Sequence, residues 1–490
     1  MVILSIDLGT TTTVMARLNE VGKPQIVMNW ENLPFTYSAV EFAEEDPKQP
    51  ILGLESKKNA GVLPCAFKEF KRQMGTDAVY KVAGRDFTAA DLSAVMLRRL
   101  REHADNEFGG IAKLVMTIPA NFSHKARQDT LAAASAAGLP VPDLIDEPTA
   151  AALYYIESSS QPLSGLCVVF DFGGGTHDVS LVDVSGRQVK VIRSKGVPKL
   201  GGMDFDRALL GLLRKKFEAE HGPLAEGDSD LTDYSAELAK QRLSESERVA
   251  VHVFSTQYGR KKIEVTRTEF EEVGAPFVAA AVACCSELLA EAALKPTQVQ
   301  HIFMSGGSSL VPAVRQALEA CFNRKAECRS PHQAIALGGA VYAASLVARD
   351  NPDLLTPTQR EAIRPLVVRD ATSKDLGMLI TGLDGKEANE ILIPKGTAIP
   401  AEIQRYFGVA MDGQKAVEFI LTQSDPGSQP ENVTTALLSL PEGSKACQKI
   451  EVVFAYATGG LLSARFRDLN SGNVTECQME VRSASTSGGS

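Results

Sequence analysis

The sequence predicts two related α/β lobes followed by an antiparallel β-sandwich. Two hairpins of the same design indicate the lobes. Each runs from an apolar strand through an aspartate into a glycine turn with hydroxyl side chains, and then into a second strand; they occupy residues 3–18 and 166–184. A repeat of this kind indicates two subdomains that face a common ligand. After residue 370, short alternating segments separated by turn signals indicate the sandwich.

The second hairpin carries three consecutive glycines, Gly173 to Gly175, between Asp171 and Thr176. Such a run costs backbone entropy, and it is expected where the backbone must approach something closely. Free amides in the turn would form an electropositive nest for phosphate oxygens, while Asp171 could hold a hard cation and Thr176 adds a hydroxyl. Taken alone, this stretch is also compatible with a glycine hairpin that binds nothing.

Two further glycine turns favour the nucleotide interpretation. The first hairpin carries Asp7 followed by Gly9, Thr10 and Thr11. A third turn, Gly306-Gly307-Ser308, follows an apolar strand and precedes a helix expected over residues 310–322. A helix N-terminus behind such a turn is a further anion contact. Three turns in this order predict a nucleotide site between two lobes.

The composition limits the classes of protein to which this chain could belong. A chain of 490 residues is expected to form two or three domains, and 44% hydrophobic with 23% charged residues is typical of a soluble globular protein. The net charge of −9, without a basic stripe, counts against nucleic-acid binding. The eight cysteines form no C-x-x-C pair, so reduced thiols in the cytoplasm are expected.

The order of segments predicts the domain boundaries. We expect a nucleotide-binding domain over 1–350, a connector and apolar linker over 351–370, a sandwich over 371–482 and a flexible tail over 483–490. Residues 89–108 have the apolar spacing of a helix. The apolar run 275–285 is too short to span a bilayer and indicates a core helix, and no export signal is apparent, so no membrane association is expected.

In this order, the parts resemble the DnaK-type seventy-kilodalton heat-shock chaperones, and within them the shorter HscC-like branch. The resemblance covers nearly the whole chain. Its motifs are Ile6-Asp7-Leu8-Gly9-Thr10-Thr11, Lys71-Arg72, Glu147-Pro148-Thr149-Ala150-Ala151-Ala152, Asp171 to Thr176 with Asp178, Gly201-Gly202 with Asp204-Phe205-Asp206, Gly306-Gly307-Ser308, and Ile393-Pro394-Lys395-Gly396-Thr397-Ala398-Ile399-Pro400. It implies an actin-like ATPase of two ribonuclease-H-like lobes, an apolar linker and a peptide-binding sandwich. The helical lid of the family is not expected in this sequence.

The resemblance implies slow hydrolysis of ATP to ADP, which needs positioning and charge neutralisation more than covalent chemistry. Lys71 would touch the γ-phosphate and orient the attacking water, with Glu147, Asp171 and Thr176 completing the polar shell. Asp7 and Asp171 would hold Mg²⁺ largely through waters, and K⁺ is a further candidate ion. Without the resemblance, Lys71 is better explained as a solvated lysine and Glu147 as an acid at a helix N-terminus.

The implied nucleotide contacts extend beyond the phosphates. Glu237, Lys240 and Ser244 share one helix face, which could hold ribose and adenine or could be a solvated surface. The complete expected set is Gly9, Thr10, Thr11, Gly173, Gly174, Gly175, Gly201, Gly202, Glu237, Lys240, Ser244, Gly306, Gly307 and Ser308.

The resemblance also implies a peptide site and a coupling route. Unfolded or extended peptides would bind a groove of the sandwich, where core packing is the alternative explanation for each residue; the candidates are Leu376, Met378, Phe407, Ala410, Val417 and Phe419. Coupling would run through the linker and a relay, formed by Pro119, Arg127, Leu366, Val367, Val368 and Asp370. A J-domain co-chaperone and a nucleotide-exchange factor would be partners.

Several positions depart from the family pattern. Asp143 stands where an arginine often meets J-domain partners, which counts against their ordinary recruitment. Met203 replaces an acid, and Leu310 replaces the arginine that commonly stacks on adenine. Other departures are Asn121, His332 and Arg369. These changes leave open a scaffold that binds ATP with little hydrolysis. A small-molecule kinase or an actin-like filament protein is disfavoured by the sandwich.

Overall fold

The computed structural model describes residues 1–43, 49–82, 84–225, 227–363, 366–369, 371–372, 374–381, 387–457 and 462–478. Two features expected from the sequence, Asp370 and the tail 483–490, lie outside the described residues. The rest divides into two large mixed sheets with flanking helices and a C-terminal pair of antiparallel sheets.

The first large sheet has the strand order β11-β10-β1-β2-β3, with β4 paired to β2. Strand β1 is buried along its whole length because it lies between β10, which is parallel, and β2, which is antiparallel. The elements of this part are β1 (Val2–Leu8), β2 (Thr12–Leu18), β3 (Pro24–Val27), β4 (Thr36–Tyr37), β5 (Ala39–Phe42), β6 (Pro50–Leu52), α1 (Leu54–Asn59), β7 (Ala66–Lys68), a 3-10 turn (Phe70–Gln73), β8 (Tyr80–Val82), β9 (Arg85–Phe87), α2 (Ala89–Phe108), β10 (Ile111–Ile118), α3 (His124–Ala136), β11 (Asp143–Asp146) and α4 (Glu147–Ser158).

The second large sheet repeats this arrangement with the order β17-β12-β13-β14-β18. A three-stranded antiparallel meander again lies beside a parallel strand, here β17. The elements are β12 (Ser164–Phe172), β13 (His177–Ser185), β14 (Gln188–Val197), α5 (Gly202–His221), α6 (Asp233–Glu245), β15 (Arg248–Ser255), β16 (Gly259–Thr266), α7 (Arg267–Glu291), 3-10 turns (Pro296–Gln298, Gly307–Leu310 and Pro352–Leu354), β17 (His301–Ser305), α8 (Pro312–Phe322), α9 (Ala334–Asp350), α10 (Pro357–Ala362) and β18 (Val367–Arg369).

The C-terminal part is formed by two antiparallel sheets, ordered β20-β19-β22-β23 and β21-β24-β25-β26. Their inner faces share one apolar core that includes Phe454 and Phe466, as expected for a sandwich. The strands are β19 (Asp375–Thr381), β20 (Glu387–Ile393), β21 (Ala401–Gly408), β22 (Ala416–Ser424), β23 (Glu431–Ser439), β24 (Lys449–Tyr456), β25 (Leu462–Asp468) and β26 (Val474–Gln478).

Helices α4 and α9 cross closely between the two large sheets. A Cβ placed on Gly338 would lie 1.7 Å from the carbonyl oxygen of Ala150, so the crossing requires glycine at that position. One on Gly339 would lie 2.1 Å from Ser5 Oγ, which brings α9 equally close to β1. This packing fixes the start of α4, and therefore Glu147, at the ends of the central strands.

The apolar run 275–285 belongs to a helix longer than the sequence indicated. Helix α7 has 25 residues, and in the described part of the chain it is the one helix long and apolar enough to cross a membrane, which alone is weak evidence for a span. Its buried face packs into the core of the second large sheet through side chains such as Phe270 and Leu288. This is the packing expected of a core helix.

Candidate functional site

The glycine turns of the two hairpins face each other across a cleft between the large sheets. A Cβ on Gly174 would lie 1.9 Å from Thr11 Oγ1, and one on Gly175 would lie 2.6 Å from Thr10 Cγ2. Any larger residue at Gly174 or Gly175 would therefore collide with the first turn. Because both turns follow central strands, β1 and β12, the cleft has rigid backbone on both sides.

The turns at Gly201 and Gly306 hold the second hairpin turn in place. Gly306 has φ +78°, and a Cβ there would lie 2.3 Å from Phe172 O. The Ser308 hydroxyl donates to Gly173 O at 2.7 Å, and the Gly202 amide donates to the same oxygen at 3.0 Å. The glycines of three separate segments are thus needed for close backbone approach at one place.

The sequence prediction for this turn needs one correction and leaves the other amides available. The Gly173 amide donates to Thr176 O at 3.0 Å, which closes the hairpin, so it does not face a ligand. Among the described residues, no hydrogen bond involves the amides of Thr10, Thr11, Gly174 or Gly175. These four N–H groups are the ones that could cradle phosphate oxygens.

The third turn also differs from expectation in its local structure. The helix expected from residue 310 begins at Pro312, and the glycine turn leads first into the 3-10 turn Gly307–Leu310. Proline suits the first helical position because its fixed φ matches the helix and it has no N–H to leave unpaired. The α8 N-terminus is therefore separated from the turn, and the nearer contacts come from the turn itself.

Two buried carboxylates lie at the strand ends beside these turns. Asp7 accepts a hydrogen bond from Thr117 Oγ1 at 2.9 Å, and Asp171 accepts one from Ser305 Oγ at 2.8 Å. Burial, together with the charge of Glu147, raises the pKa of each carboxyl to about 7. The two strands thus hold desolvated carboxylates that lack sufficient positive charge nearby.

Lys71 is the cation among these acids. Its Nζ lies 2.7 Å from Glu147 Oε1, and both side chains are buried. Burial alone lowers the pKa of Lys71, but the charges of Glu147, Asp7 and Asp171 outweigh it, and the net pKa is raised. The lysine is therefore charged at neutral pH and is held in place by the glutamate.

The cleft fits a hard divalent cation. Asp7 and Asp171 supply carboxylate oxygens, and Thr11 Oγ1 is buried without a hydrogen-bond partner among the described residues. The described residues contain no group of three or more His, Cys, Asp or Glu placed to hold a metal directly. Two carboxylates acting largely through water match the preference of Mg²⁺, which dehydrates reluctantly.

Asp178 is a buried acid beside the cleft that was not expected among the site residues. It is buried opposite Asp171 in the β12–β13 ladder, and burial together with Glu147 and Asp171 raises its pKa well above the usual value. Its Oδ2 has no hydrogen-bond partner among the described residues. A Cβ on Gly196 would lie 2.3 Å from Asp178 Oδ1. The sequence did carry a signal for it, because Asp178 belongs to the glycine-turn motif on which the family resemblance rests.

The side chains expected to bind ribose and adenine already make contacts within the protein. Glu237 Oε2 lies 2.9 Å from Lys57 Nζ, and Lys240 Nζ lies 2.8 Å from Asp206 Oδ1. Ser244 Oγ donates to Lys240 O at 3.1 Å. Glu237 lines a separate cavity of ≈ 240 Å³. The helix face is therefore paired within the protein, and a nucleotide would have to replace these contacts.

Comparison with known proteins identifies the family. The family described as "Hsp70 protein" matches residues 3–488. The chain is 31% identical over 487 residues to the chaperone protein DnaK of Thermotoga neapolitana, covering 96% of this chain and 79% of the relative. It is 30% identical over 487 residues to DnaK of Thermosipho melanesiensis, with 96% and 78% covered.

The chain belongs to the Hsp70 family. Members of this family are ATP-binding chaperones of the stress response, and this Hsp70 chain is an ATPase. The family fold is an actin-like ATPase with a C-terminal β-sandwich, and family members use ATP or ADP with Mg²⁺. They generally bind unfolded peptides and co-chaperones. The two large sheets and the C-terminal sandwich described above are consistent with that fold.

The sandwich of this Hsp70 chain buries half of its expected peptide-binding residues. Leu376 and Met378 alternate onto the inner face of β19, and both lie in the core. Phe419 is also buried and stacks on Phe466, with ring centroids 4.0 Å apart. For these three residues, core packing is the better description. Phe407 and Val417 are half-buried, and Ala410 is exposed.

The apolar linker continues the second large sheet. Val367 and Val368 pair in parallel with Gln188 and Val189 of β14. Val367 is 41% exposed, whereas Leu366 and Val368 pack against a core shared by the two large sheets. The linker is therefore held by backbone pairing as well as by apolar contact.

The relay residues lie between the cleft and the sandwich. Arg127 Nη2 donates to Asp146 Oδ1 at 3.1 Å and to Ala120 O at 3.3 Å. Pro119 lines a cavity that the sandwich also lines. Three residues before Arg127, the His124 amide donates to Gln423 Oε1 of the sandwich at 3.2 Å. The relay positions are thus in one contact region with the sandwich.

Proposed function

We propose that this Hsp70 chain is an ATP-dependent chaperone that binds extended apolar peptide segments and couples that binding to slow ATP hydrolysis. The observation that carries the proposal is the buried Lys71–Glu147 pair at 2.7 Å beside two facing glycine turns. Phosphoryl transfer requires positive charge and hydrogen-bond donors around the transferred group. A buried lysine beside free backbone amides supplies both.

Each cleft residue has a distinct role in the proposal. The amides of Thr10, Thr11, Gly174 and Gly175 bind phosphate oxygens. Lys71 orients the attacking water and stays protonated, because the surrounding carboxylates raise its pKa. Mg²⁺, when bound through Asp7 and Asp171, neutralises charge on the phosphates.

The supporting residues stabilise these groups. Glu147 positions Lys71, and Ser305 and Thr117 fix the two aspartates. Thr176 adds a hydroxyl at the edge of the cleft, and it lines the cleft together with Lys71. Asp178 joins the candidate ion site, and its Oδ2, which has no hydrogen-bond partner within the described part of the chain, is compatible with K⁺ as a further ion.

The peptide site and the coupling route are part of the proposal. Phe407, Ala410 and Val417 are the accessible candidates for peptide contact. Linker pairing with β14 would bias one two-state equilibrium, so peptide and nucleotide must each alter the affinity for the other. We place the chain in the HscC-like branch and in the cytoplasm, again as proposals.

Partner choice is expected to follow local charge. Asp143 forms an ion pair with Lys113, so its negative charge is partly compensated. Asp143 still counts against recruitment of a J-domain co-chaperone through a basic surface here, because the family often has an arginine at this position. A nucleotide-exchange factor would act on the ATPase lobes.

A second function is favoured by the adenine side of the cleft. Glu237, Lys240 and Ser244 are paired within the protein, and Leu310 is 42% exposed where the family commonly has arginine. A scaffold that binds ATP weakly and barely hydrolyses it would have these properties. It predicts that peptide leaves ATP turnover unchanged.

Lys71→Ala tests the proposal. We expect loss of at least about a hundredfold in turnover while ADP affinity stays within about threefold, because the lysine acts on the transition state rather than on the base. Phosphate production and nucleotide affinity are measured with and without an apolar peptide. Lys325→Ala, a 92% exposed lysine, is the control. Equal turnover in the two variants would remove Lys71 from the mechanism, and turnover that ignores peptide would favour the scaffold.

A further inference from the structure

A cavity of ≈ 700 Å³ lies between the cleft, strand β14 and the sandwich. Thr10, Lys71 and Thr176 line both this cavity and the nucleotide cleft, so the two spaces meet at the proposed γ-phosphate end. Its far wall is formed by sandwich residues, including Lys374 and Lys395. We call it the interdomain cavity.

Cationic side chains outnumber acids on the wall of the interdomain cavity. The six cations are Lys71, Arg72, Arg193, Lys195, Lys374 and Lys395, and the two acids are Glu291 and Asp425. Lys195 pairs with Glu291 at 2.7 Å, and Lys395 pairs with Asp425 at 3.3 Å. The cleft itself has the opposite sign, because three carboxylates surround one lysine there.

Arg72 provides the most specific observation. Its side chain is only 10% exposed, and its Nη2 is buried without a hydrogen-bond partner among the described residues. The two other contacts of the guanidinium are long, with Nη1 3.4 Å from Glu69 Oε2 and Nε 3.4 Å from Pro198 O. A buried guanidinium N–H without an acceptor is costly, and because Arg72 lines the interdomain cavity, an anion bound there is a candidate acceptor.

We propose that the interdomain cavity is a second anion site, which takes inorganic phosphate released beside Lys71 before that phosphate leaves the protein. The ligand class follows from position, since the cavity opens where the proposed hydrolysis produces phosphate. The inference rests on the proposed function. Because Lys374 and Lys395 belong to the sandwich, phosphate in the cavity also favours the arrangement in which the sandwich contacts the ATPase part.

The first test is direct binding of inorganic phosphate to the full chain. Equilibrium dialysis with radiolabelled phosphate is done at saturating ADP and Mg²⁺. We expect Arg72→Gln to weaken phosphate binding by about tenfold or more, the usual effect of losing a charge-assisted contact. Lys325→Ala should bind like the wild type. Equal binding by Arg72→Gln and the wild type, or no phosphate binding by the wild type, overturns the proposal.

A second pair of variants tests the role of the sandwich without depending on Arg72. Lys374→Ala with Lys395→Ala should weaken phosphate binding several-fold and shorten the lag between ATP cleavage and phosphate release. A variant that carries Lys395→Arg in place of Lys395→Ala keeps the charge at this position. Its phosphate affinity and its lag should lie between those of the double alanine variant and those of the wild type. If the double alanine variant has the phosphate affinity and the lag of the wild type, the sandwich does not contribute to the anion site. If the chain binds phosphate through Arg72 but does not hydrolyse ATP, the anion site is supported and the proposed function is wrong. If the chain hydrolyses ATP but Arg72→Gln does not change phosphate binding, the proposed function is supported and the anion site is wrong.

Discussion

Acidification should separate the sandwich from helix α3 through protonation of His124. This side chain is 3% exposed, and neither ring nitrogen has a hydrogen-bond partner among the described residues. Its amide donates to Gln423 of the sandwich, so the residue lies in the contact between the two parts. The charged groups nearby are Arg127 on the same helix and Glu431, which accepts a hydrogen bond from the Gln423 amide.

The magnitude follows from the pKa of the imidazole. Burial, assisted by the charge of Arg127, lowers the pKa of His124 from the usual 6.5 to about 4. The docked state therefore binds fewer protons than the separated state, in which water reaches the ring. Docking free energy is fully present above the usual pKa and is lost as the pH falls from about 6.5 towards about 4. Between pH 7 and pH 5, we expect docking to weaken by about 20-fold, or about 1.8 kcal/mol.

Sedimentation velocity from pH 7 to pH 5 measures this change, because a separated sandwich makes the molecule more extended. His124→Gln keeps a polar side chain without the titration, so its sedimentation coefficient should vary much less over this range. The exposed His252→Gln is the matched control and should behave like the wild type. The reasoning is refuted if His124→Gln and the wild type change equally with pH.

Three further predictions concern the cleft, the linker and the sandwich. Because burial raises the pKa of Asp7 and Asp171 to about 7, protons compete with Mg²⁺, and Mg²⁺ affinity in a titration should fall at least about tenfold from pH 8 to pH 6. Leu366→Asp with Val367→Asp should abolish peptide stimulation of ATP turnover but not basal turnover, whereas the exposed Val474→Asp should change neither. In urea unfolding, Phe419→Ala should destabilise the sandwich by about 3–5 kcal/mol, more than Val417→Ala, and equal losses would contradict the core assignment.

The sequence predicted best those features that local chemistry specifies. Helix α2 was expected over residues 89–108 and is found there, because Thr88 and Asp91 form a capping box at its start and Gly109 adopts φ 70° at its end. The two hairpins were predictable for a similar reason: an aspartate, glycines and hydroxyls within a few residues define a strand end and a turn.

Features that depend on distant partners were not predictable in the same way. Lys240 lies on the expected helix face, but its ion pair with Asp206 joins residues 34 positions apart and leaves no local signal. In the sandwich, the family resemblance named Leu376 and Met378, and their spacing of two residues places them on one face of a strand. This spacing could not show whether that face lines a groove or the core, because this depends on how the second sheet covers it.

The charged side chains that line the nucleotide cleft are mainly acids and those that line the interdomain cavity are mainly cations, and this difference sets the order of the steps in the proposed cycle. The cleft holds three carboxylates around Lys71, so phosphate is stable there only while a bound cation offsets them. Once hydrolysis frees phosphate from the nucleotide, the proposed next site is the adjoining interdomain cavity, whose wall carries more cations than acids and where Arg72 Nη2 has no acceptor among the described residues. Two of the cavity's lysines are present only while the sandwich contacts the ATPase part. Loss of phosphate from the cavity therefore removes an attraction between the two parts, and this places separation of the sandwich after phosphate release rather than at the cleavage step.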